Sequence, residues 1–549
     1  MKIKSNLTKK EELRKRAYLI LQRIILVIGI VVLVALGLVT LLKREYIVAN
    51  SEESVVRNNS LTFIGGTIIG ITLIIIGRNR LKNIRPKILF RYLAIMFSIA
   101  GIFLAFNMPT QLNSADQLFS YMIAKQMNHG VFISLQSSRF IHSGLPFVKS
   151  MGGYLAVYPF QLGYITYLRL LECFSTNIRF LYFVNILLLI FINYLLYRIV
   201  KIVTNDNKLI QNWTLILSFV FLPELFLILF IYGNIPGLCA CLAAVYFGLR
   251  LIINNSKRSL DGLWCVLLFV LSYQLKSNYQ IAVLALGIVF VLHAIKHHRY
   301  KLIAMPFITF ALMLGSNRLI IAAYETESGL HIPKGLPMIT YVAMGLEPHN
   351  SQGRGPGWYD GYSINLYTNN NFNSDKTKKI AKLKIKSELK NYLNDPVEAR
   401  HFFVGKFIST WSDPTFESVW IAPYFEKPQT KVLNNIYYSN YILRKNAHNI
   451  RWYQKSMKQI AAWCNFIVIA ILVLSIGLVL FEWNDLNLYA IFAILNLIGG
   501  VVFHLIWETK SQYVFQYVIY LIPVAAMLLG KIDSSRWHYE RKRFFVKKD

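Results

Sequence analysis

Repeated apolar runs constrain this chain more than any other feature of its sequence. Several runs approach the ~20 apolar residues that a helix needs to cross a bilayer, and 55% of the 549 residues are hydrophobic. A soluble protein of this length is less apolar. The sequence therefore predicts an all-α polytopic membrane protein with about 12–13 transmembrane helices.

The predicted spanning helices follow the apolar runs along the chain. We place them near 18–42, 62–77, 88–108, 179–202, 212–232, 235–253, 262–275, 278–293, 302–322, 459–481, 487–506 and 512–530. A further apolar helix near 159–174 is short and begins with Tyr158-Pro159. We predict that it is re-entrant or tilted and makes no net crossing.

Basic residues set the expected orientation, because Lys and Arg collect in the cytoplasmic loops of membrane proteins. They are dense at 9–16, at 78–87 and at 541–548. Both termini should then be cytoplasmic, with 109–157 and 323–457 outside a bacterial plasma membrane. The formal net charge of +32 suits anionic lipid headgroups. Nucleic acid is not an expected partner, because no nucleic-acid motif accompanies the charge.

Four regions follow from this topology. An N-terminal two-helix membrane hairpin covers 1–87, and a transmembrane core covers 88–322. The extracytoplasmic loop domain 323–457 has an expected helix at 376–394, and 458–549 holds the last transmembrane helices and a basic cytoplasmic tail. Within the core, the first outer loop 109–157 has an expected helix at 115–128.

Three polar clusters lie at the predicted outer ends of helices. Asp116 follows the third span, and Lys276 opens a Lys-Ser-Asn-Tyr turn between two apolar helices. Glu508 and Lys510 lie between the last two spans. Ionisable residues at the edge of the hydrocarbon are functional candidates. A helix cap or solvated acid at Asp116, and a Lys276 side chain that merely reaches water, are the structural alternatives.

These pieces, in this order, resemble the GT-C class of membrane glycosyltransferases, in particular the protein-mannosyltransferase-like branch of Gram-positive bacteria. That branch has an essential acid in its first outer loop, a Tyr-Pro entry into the next helix, a large late outer loop, and an acid and a Tyr between its final helices. The matching positions are Asp116, Tyr158-Pro159, the 323–457 region, and Glu508 with Tyr513. Lys276–Tyr279 and Trp411–Pro414 also look like this branch. The resemblance covers the chain from about residue 88 onward.

The chain departs from the family pattern at two positions. Gln117 stands where many members have a second acid, and Gln512 where many have an Arg. The first change weakens the case for a metal held by adjacent carboxylates, so no cofactor is assigned and a divalent cation stays open. After the second change, Lys276 or Lys510 would have to contact the donor phosphate as a point charge.

The resemblance implies transfer of a sugar from a polyprenyl-phosphate-linked donor to an outer acceptor, either a cell-wall polysaccharide, a teichoic-acid-type polymer or a protein. Asp116 would be the catalytic base of an inverting hexosyltransferase. The expected donor-phosphate contacts are Lys276, Lys510 and Tyr513. The expected substrate contacts are Gln117, Tyr158, Gln161, Asn278, Tyr279, Trp358, Tyr359, Trp411 and Glu508.

Three other functions fit the same topology, and one of them, a structural partner in an envelope complex, would need none of these acids. A polysaccharide polymerase or ligase would use a lipid-linked oligosaccharide and would also have a large outer loop. A transporter of lipid-linked sugars would explain the helices and the buried acids, but it would not need the 323–457 region.

Overall fold

The computed structural model describes residues 2–48, 52–112, 115–136, 152–253, 259–348, 353–423, 426–438, 455–484 and 486–532. The basic tail expected at 541–548 lies outside these residues. The described chain is almost entirely helical, and its one sheet is a two-stranded hairpin.

The elements run in the following order. The N-terminal part contains α1 (Lys2–Leu42), β1 (Lys43–Val48), β2 (Glu53–Asn58), α2 (Leu61–Gly77), α3 (Pro86–Asn107) and α4 (Ala115–Asn128). The central part contains α5 (Leu162–Glu172), α6 (Ile178–Val203), α7 (Lys208–Phe219), α8 (Asn234–Ile253), α9 (Ser259–Leu275), α10 (Gln280–His297) and α11 (Ala304–Ser328). The remainder contains α12 (Ile339–Gly345), α13 (Tyr362–Asn369), α14 (Ser374–Asn394), α15 (Pro396–Trp411), α16 (Lys455–Phe481), α17 (Leu488–Ile506) and α18 (Phe515–Lys531). Single helical turns occur at Tyr154–Val157, Pro223–Phe226 and Lys431–Leu433.

Membrane-spanning helices dominate the described residues. Nine helices there are long and apolar enough to cross a bilayer, and a tenth candidate is α7 with the bent segment Pro223–Leu229. Two shorter apolar helices, Leu260–Leu275 and Phe515–Lys531, correspond to the predicted spans 262–275 and 512–530. The polytopic all-α prediction is therefore confirmed, and every predicted span corresponds to an apolar helix.

Helix α5 is too short to cross the membrane alone. It has 11 residues, which at ~1.5 Å per residue extend about half of the ~30 Å hydrocarbon core. This length agrees with the re-entrant or tilted segment expected at 159–174. The helices expected at 115–128 and 376–394 are present as α4 and α14.

The centre of the bundle is formed by α8 and α18, whose residues are nearly all buried. Small residues allow close helix contacts, as is common in membrane bundles. A Cβ added at Gly500 of α17 would lie 2.4 Å from the Tyr517 ring of α18. In contrast, α2 and α11 expose large apolar side chains such as Ile76 and Phe307, which suit contact with lipid tails.

The N-terminal region does more than anchor the chain. Its two strands pair antiparallel, with Lys43 opposite Asn58, and they dock on the 323–457 region. The Glu45 amide donates to the Ser412 carbonyl at 3.0 Å, and the Ser54 amide donates to the Gly353 carbonyl at 3.0 Å. The side of the bundle with these contacts is called the loop face below.

Candidate functional site on the loop face

Asp116 lies in the first turn of α4, where a carboxylate is favoured by the helix dipole. Its side chain is exposed, and the Tyr154 hydroxyl donates a hydrogen bond to its Oδ1 at 2.8 Å. Tyr154 itself is buried. The carboxylate is therefore oriented by one buried hydroxyl and otherwise faces open space, as a group that meets a substrate should.

Gln161 connects Tyr154 to a second tyrosine. Its Nε2 donates to the Tyr232 hydroxyl at 2.6 Å and approaches the Tyr154 hydroxyl at 3.4 Å. Gln161 follows the Tyr158-Pro159 entry and ends a short 3₁₀ turn, Pro159–Gln161. The Tyr-Pro segment thus brings Gln161 between the two rings.

Lys276 lies on the other side of Tyr232. Its Nζ is 4.3 Å from the centroid of the Tyr232 ring and 5.3 Å from that of Tyr513. The backbone is extended at Lys276 and then enters the 3₁₀ turn Ser277–Tyr279. Burial lowers the pKa of the ammonium to about 8, although Asp116 and Glu508 act to raise it. Lys276 therefore lies in the electrostatic field of both acids.

Glu508 completes the polar array. It is buried, and the Tyr513 hydroxyl approaches its Oε1 at 3.5 Å. Burial raises the pKa of the carboxyl to about 7, and Lys510, Lys276 and Lys406 limit the rise. The chain of contacts from Asp116 to Glu508 joins side chains that are almost 400 positions apart in the sequence.

Lys510 differs from the sequence-based expectation. Its ammonium donates to both carboxylate oxygens of Glu52, at 2.7 and 2.6 Å, and the guanidinium of Arg354 lies 3.4 Å from the same carboxylate. Lys510 is also buried. The expectation that Lys510 contacts a donor phosphate did not include this ion pair, and the pairing makes Lys276 the better-placed of the two lysines.

Several predicted substrate contacts instead support the fold. The Gln117 side chain is buried, accepts from the Ile231 amide at 2.8 Å and donates to the Ile421 carbonyl at 3.2 Å. The Tyr279 hydroxyl donates to the Asn234 carbonyl within the bundle. These side chains are occupied by main-chain partners, which corrects the expectation that they face a substrate.

The tryptophans expected to hold an acceptor are also buried. Trp358 is 1% exposed, and its indole donates to Ser409 Oγ at 3.2 Å. Trp411 is 5% exposed and packs against the Tyr517 ring. Neither ring presents an open face, so the expected stacking of sugars on them is not met. Tyr359 is half-buried and forms a hydrogen bond with Tyr158, whereas Asn278 is half-buried beside Lys276.

The sequence analysis missed a fully buried lysine in α15. Lys406 is 0% exposed and donates to the carbonyls of Gly345 and Trp507. Burial lowers the pKa of this ammonium to about 7. The bond to Trp507 joins α15 to the segment that contains Glu508. Lys406 and Trp507 are 101 residues apart, and no local sequence pattern predicts a contact between residues so far apart.

Asp413 and Glu417 form a second group that the sequence analysis did not assign. Asp413 accepts from the amides of Thr415 and Glu417 and from the hydroxyls of Thr415 and Ser511. The Ser511 hydroxyl oxygen also lies 2.9 Å from Glu417 Oε1. Within the described residues no three potential metal ligands converge. The acids that follow Trp411 hold a turn against the 507–513 segment.

Comparison with known proteins adds no further constraint: no protein-family model, curated protein or solved structure matches this chain.

Proposed function

We propose that this chain is a membrane glycosyltransferase that moves a sugar from a polyprenyl-phosphate-linked donor to an outer acceptor hydroxyl. The observation that supports it best is the array from Asp116 through Tyr154, Gln161 and Tyr232 to Lys276. It places an exposed carboxylate and a half-buried ammonium on one polar surface beside the ends of spanning helices. A donor whose phosphate is attached to a lipid tail would present its sugar at this depth.

In the proposed reaction, Asp116 takes the proton of the acceptor hydroxyl as its oxygen forms a bond to the anomeric carbon. The bond from that carbon to the phosphate oxygen breaks, and the polyprenyl phosphate leaves with the bonding electron pair. Attack opposite the leaving group inverts the anomeric carbon. General-base assistance contributes typically ~10²–10⁴-fold, and Lys276 stabilises the negative charge on the departing phosphate.

Lys510, with Glu52, has a supporting role in this proposal. Lys510 and Arg354 share the Glu52 carboxylate, whereas the ammonium of Lys276 faces the rings of Tyr232 and Tyr513, so Lys276 is the lysine proposed to meet the phosphate. The acceptor is a cell-wall polysaccharide, a teichoic-acid-type polymer or a surface protein, which share the hydroxyl that the reaction needs.

The test is transfer by the purified full-length protein in nanodiscs, from a panel of radiolabelled polyprenyl-phosphate sugars to an envelope extract. We expect label to move from one donor, and Asp116→Asn to abolish it while the variant still unfolds at the wild-type temperature. Asp375→Asn is the matched control, because Asp375 is an exposed acid in the first turn of α14 and should keep full activity.

Three outcomes would contradict the proposal. Full transfer by Asp116→Asn would exclude Asp116 as the catalytic base. Transfer of whole oligosaccharides, with none from monosaccharide donors, would favour a polymerase or ligase. Movement of a lipid-linked sugar across the bilayer without transfer, at equal rates in wild type and Asp116→Asn, would favour a transporter.

A further inference from the structure

Helix α14 presents a lysine-rich surface to solvent on the 323–457 region. Six of its lysines are exposed, and together they are called the lysine face below: Lys376, Lys378, Lys379, Lys382, Lys386 and Lys390. The remaining lysine, Lys384, is half-buried and pairs with Glu388 and Glu347. Among the described residues, no carboxylate lies within salt-bridge distance of the lysine face. It is a row of positive charge roughly 21 Å long at ~1.5 Å per residue.

The lysine face is not what a merely solvated helix surface needs. Lys382 lies four positions from both Lys378 and Lys386, and like charges at that spacing destabilise a helix. A helix surface that only faced water would gain stability from Glu and Lys alternating at the same spacing. Glu388, the one glutamate of α14, is instead buried. An anionic partner lying along the row would relieve the repulsion.

The lysine face points away from the spanning helices. On the buried side of α14, the Tyr392 hydroxyl donates to the Leu346 carbonyl at 2.8 Å, at the end of α12. Helix α12 in turn contacts the end of α17, because the Tyr341 carbonyl accepts from the Glu508 amide at 3.0 Å. Helix α12 therefore lies between α14 and the bundle, and the bilayer around the spanning helices is not the surface that these lysines meet.

The other residues of α14 narrow the choice of partner. Leu383 and Leu389 are exposed, but at 3.6 residues per turn they lie about 120° apart around the helix. They form no apolar stripe of the kind that inserts into a membrane surface. The one aromatic residue of α14, Tyr392, is buried, so the lysine face has no ring on which a nucleic-acid base could stack. A flexible anionic polymer without bases fits this surface.

We propose that the lysine face binds an anionic envelope polymer with a phosphate in each repeat unit, and that this polymer is the acceptor. A lysine ammonium contacts phosphate as a point charge without a fixed fork geometry, which suits a mobile chain. Of the three acceptor classes named above, the teichoic-acid type is the one defined by such phosphates. The choice of acceptor rests on the proposed function, whereas the binding surface does not.

The lysine face and the proposed site border the same short helix. Burial raises the pKa of the Tyr341 hydroxyl in α12, and the charges of Glu508 and Asp116 raise it further. Helix α12 therefore has the site on one side and α14 on another. An α-helix with its side chains is ~10–12 Å across. A polymer held by the lysines can pass over α12 and present a hydroxyl to Asp116.

The experiment measures binding of fluorescent poly(glycerol phosphate) to the full-length protein in phosphatidylcholine nanodiscs, without any sugar donor. We expect binding that weakens as salt rises, as for other polyanions, and no binding of uncharged dextran. Lys382→Gln with Lys386→Gln should weaken binding roughly twentyfold, because one basic residue near an anionic surface contributes about fivefold. Lys427→Gln with Lys431→Gln is the matched control, since both lysines are exposed in the 323–457 region but outside α14.

Several results would overturn the lysine face as the polymer site. They are equal binding by wild type and the α14 double variant, equal losses in the two double variants, and equal binding of dextran. Retention of phosphatidylglycerol vesicles with no binding of the polymer would overturn the proposal in favour of a membrane surface.

Transfer of labelled sugar to the polymer separates this inference from the proposed function. We expect the α14 double variant to raise KM for the polymer and to leave kcat unchanged. Transfer with an unchanged KM would contradict the lysine face as the acceptor site. Polymer binding without transfer from any donor would contradict the proposed function, and with it the choice of acceptor, but not the binding surface.

Discussion

The ammonium of Lys510 donates hydrogen bonds to both carboxylate oxygens of Glu52, at 2.7 and 2.6 Å, across 458 residues of sequence. Glu52 follows β1 at the end of the N-terminal hairpin, with a positive φ of 61°. The pair therefore joins the first region of the chain to the segment between the last two helices. The ion pair therefore makes the hairpin of β1 and β2 part of the loop face.

We predict that Glu52→Gln lowers the free energy of unfolding by up to about 3–5 kcal/mol, because removing one partner leaves a buried charge unpaired. The measurement is denaturant unfolding in detergent. The double variant Glu52→Gln with Lys510→Met should lose less than the sum of the single losses. Glu12→Gln is the control, since the Glu12–Arg16 pair is exposed and should contribute little. Additive losses would show that the contact does not stabilise the protein.

Tyr154→Phe should reduce transfer about tenfold, because it removes the hydrogen bond that orients the Asp116 carboxylate, and bonds to charged groups contribute ~1.5–3 kcal/mol. We expect the loss in kcat, with KM for the donor unchanged. Tyr121→Phe is the matched control and should keep the wild-type rate, because the Tyr121 hydroxyl donates to the Thr176 carbonyl and not to Asp116. A loss in KM alone would place Tyr154 in donor binding instead.

The rate of transfer should fall as pH rises through about 8. Burial lowers the pKa of Lys276 to about 8, so its ammonium loses its charge there and no longer stabilises the leaving phosphate. Lys276→Arg should remove this alkaline limb, because a guanidinium stays protonated. The measurement is kcat between about pH 6 and 9.5, a range that extends roughly two units below and one and a half units above this pKa. The same alkaline fall in kcat in wild type and in Lys276→Arg would exclude Lys276 as the group that causes it.

Lys406→Met should lower the free energy of unfolding by about 1–3 kcal/mol for each carbonyl left without its donor. The two carbonyls are those of Gly345 and Trp507. The loss should shrink as pH falls from the ordinary lysine value of 10.5 and reach a constant minimum below a pH of about 7, because burial lowers the pKa of this ammonium to about 7. Below that pH the native protein bears the cost of burying the charge, and the cost falls away as pH rises towards the ordinary value. Lys386→Met, at an exposed position of α14, should change neither stability nor its pH dependence.

The membrane architecture is determined by the sequence itself. An apolar run of about 20 residues can bury its main-chain polar groups in lipid only as a helix, so each run from Ile24 to Leu529 became a helix at its predicted place. The short segment after Pro159 was also recognisable from its length. The exposed Asp116 in the first turn of α4 and Lys276 between two helices followed from position along the chain.

The contacts among those groups were decided by the tertiary structure. Lys510 and Lys276 are alike in sequence, since each follows an apolar helix and precedes a short 3₁₀ turn. Only the folded structure places Glu52 beside Lys510, and only the folded structure places the rings of Tyr232 and Tyr513 beside Lys276. Trp358 and Gln117 likewise look suited to a ligand until burial fixes their partners. Periodicity and charge act over a few residues and specify helices, whereas pairing and burial depend on side chains hundreds of positions apart.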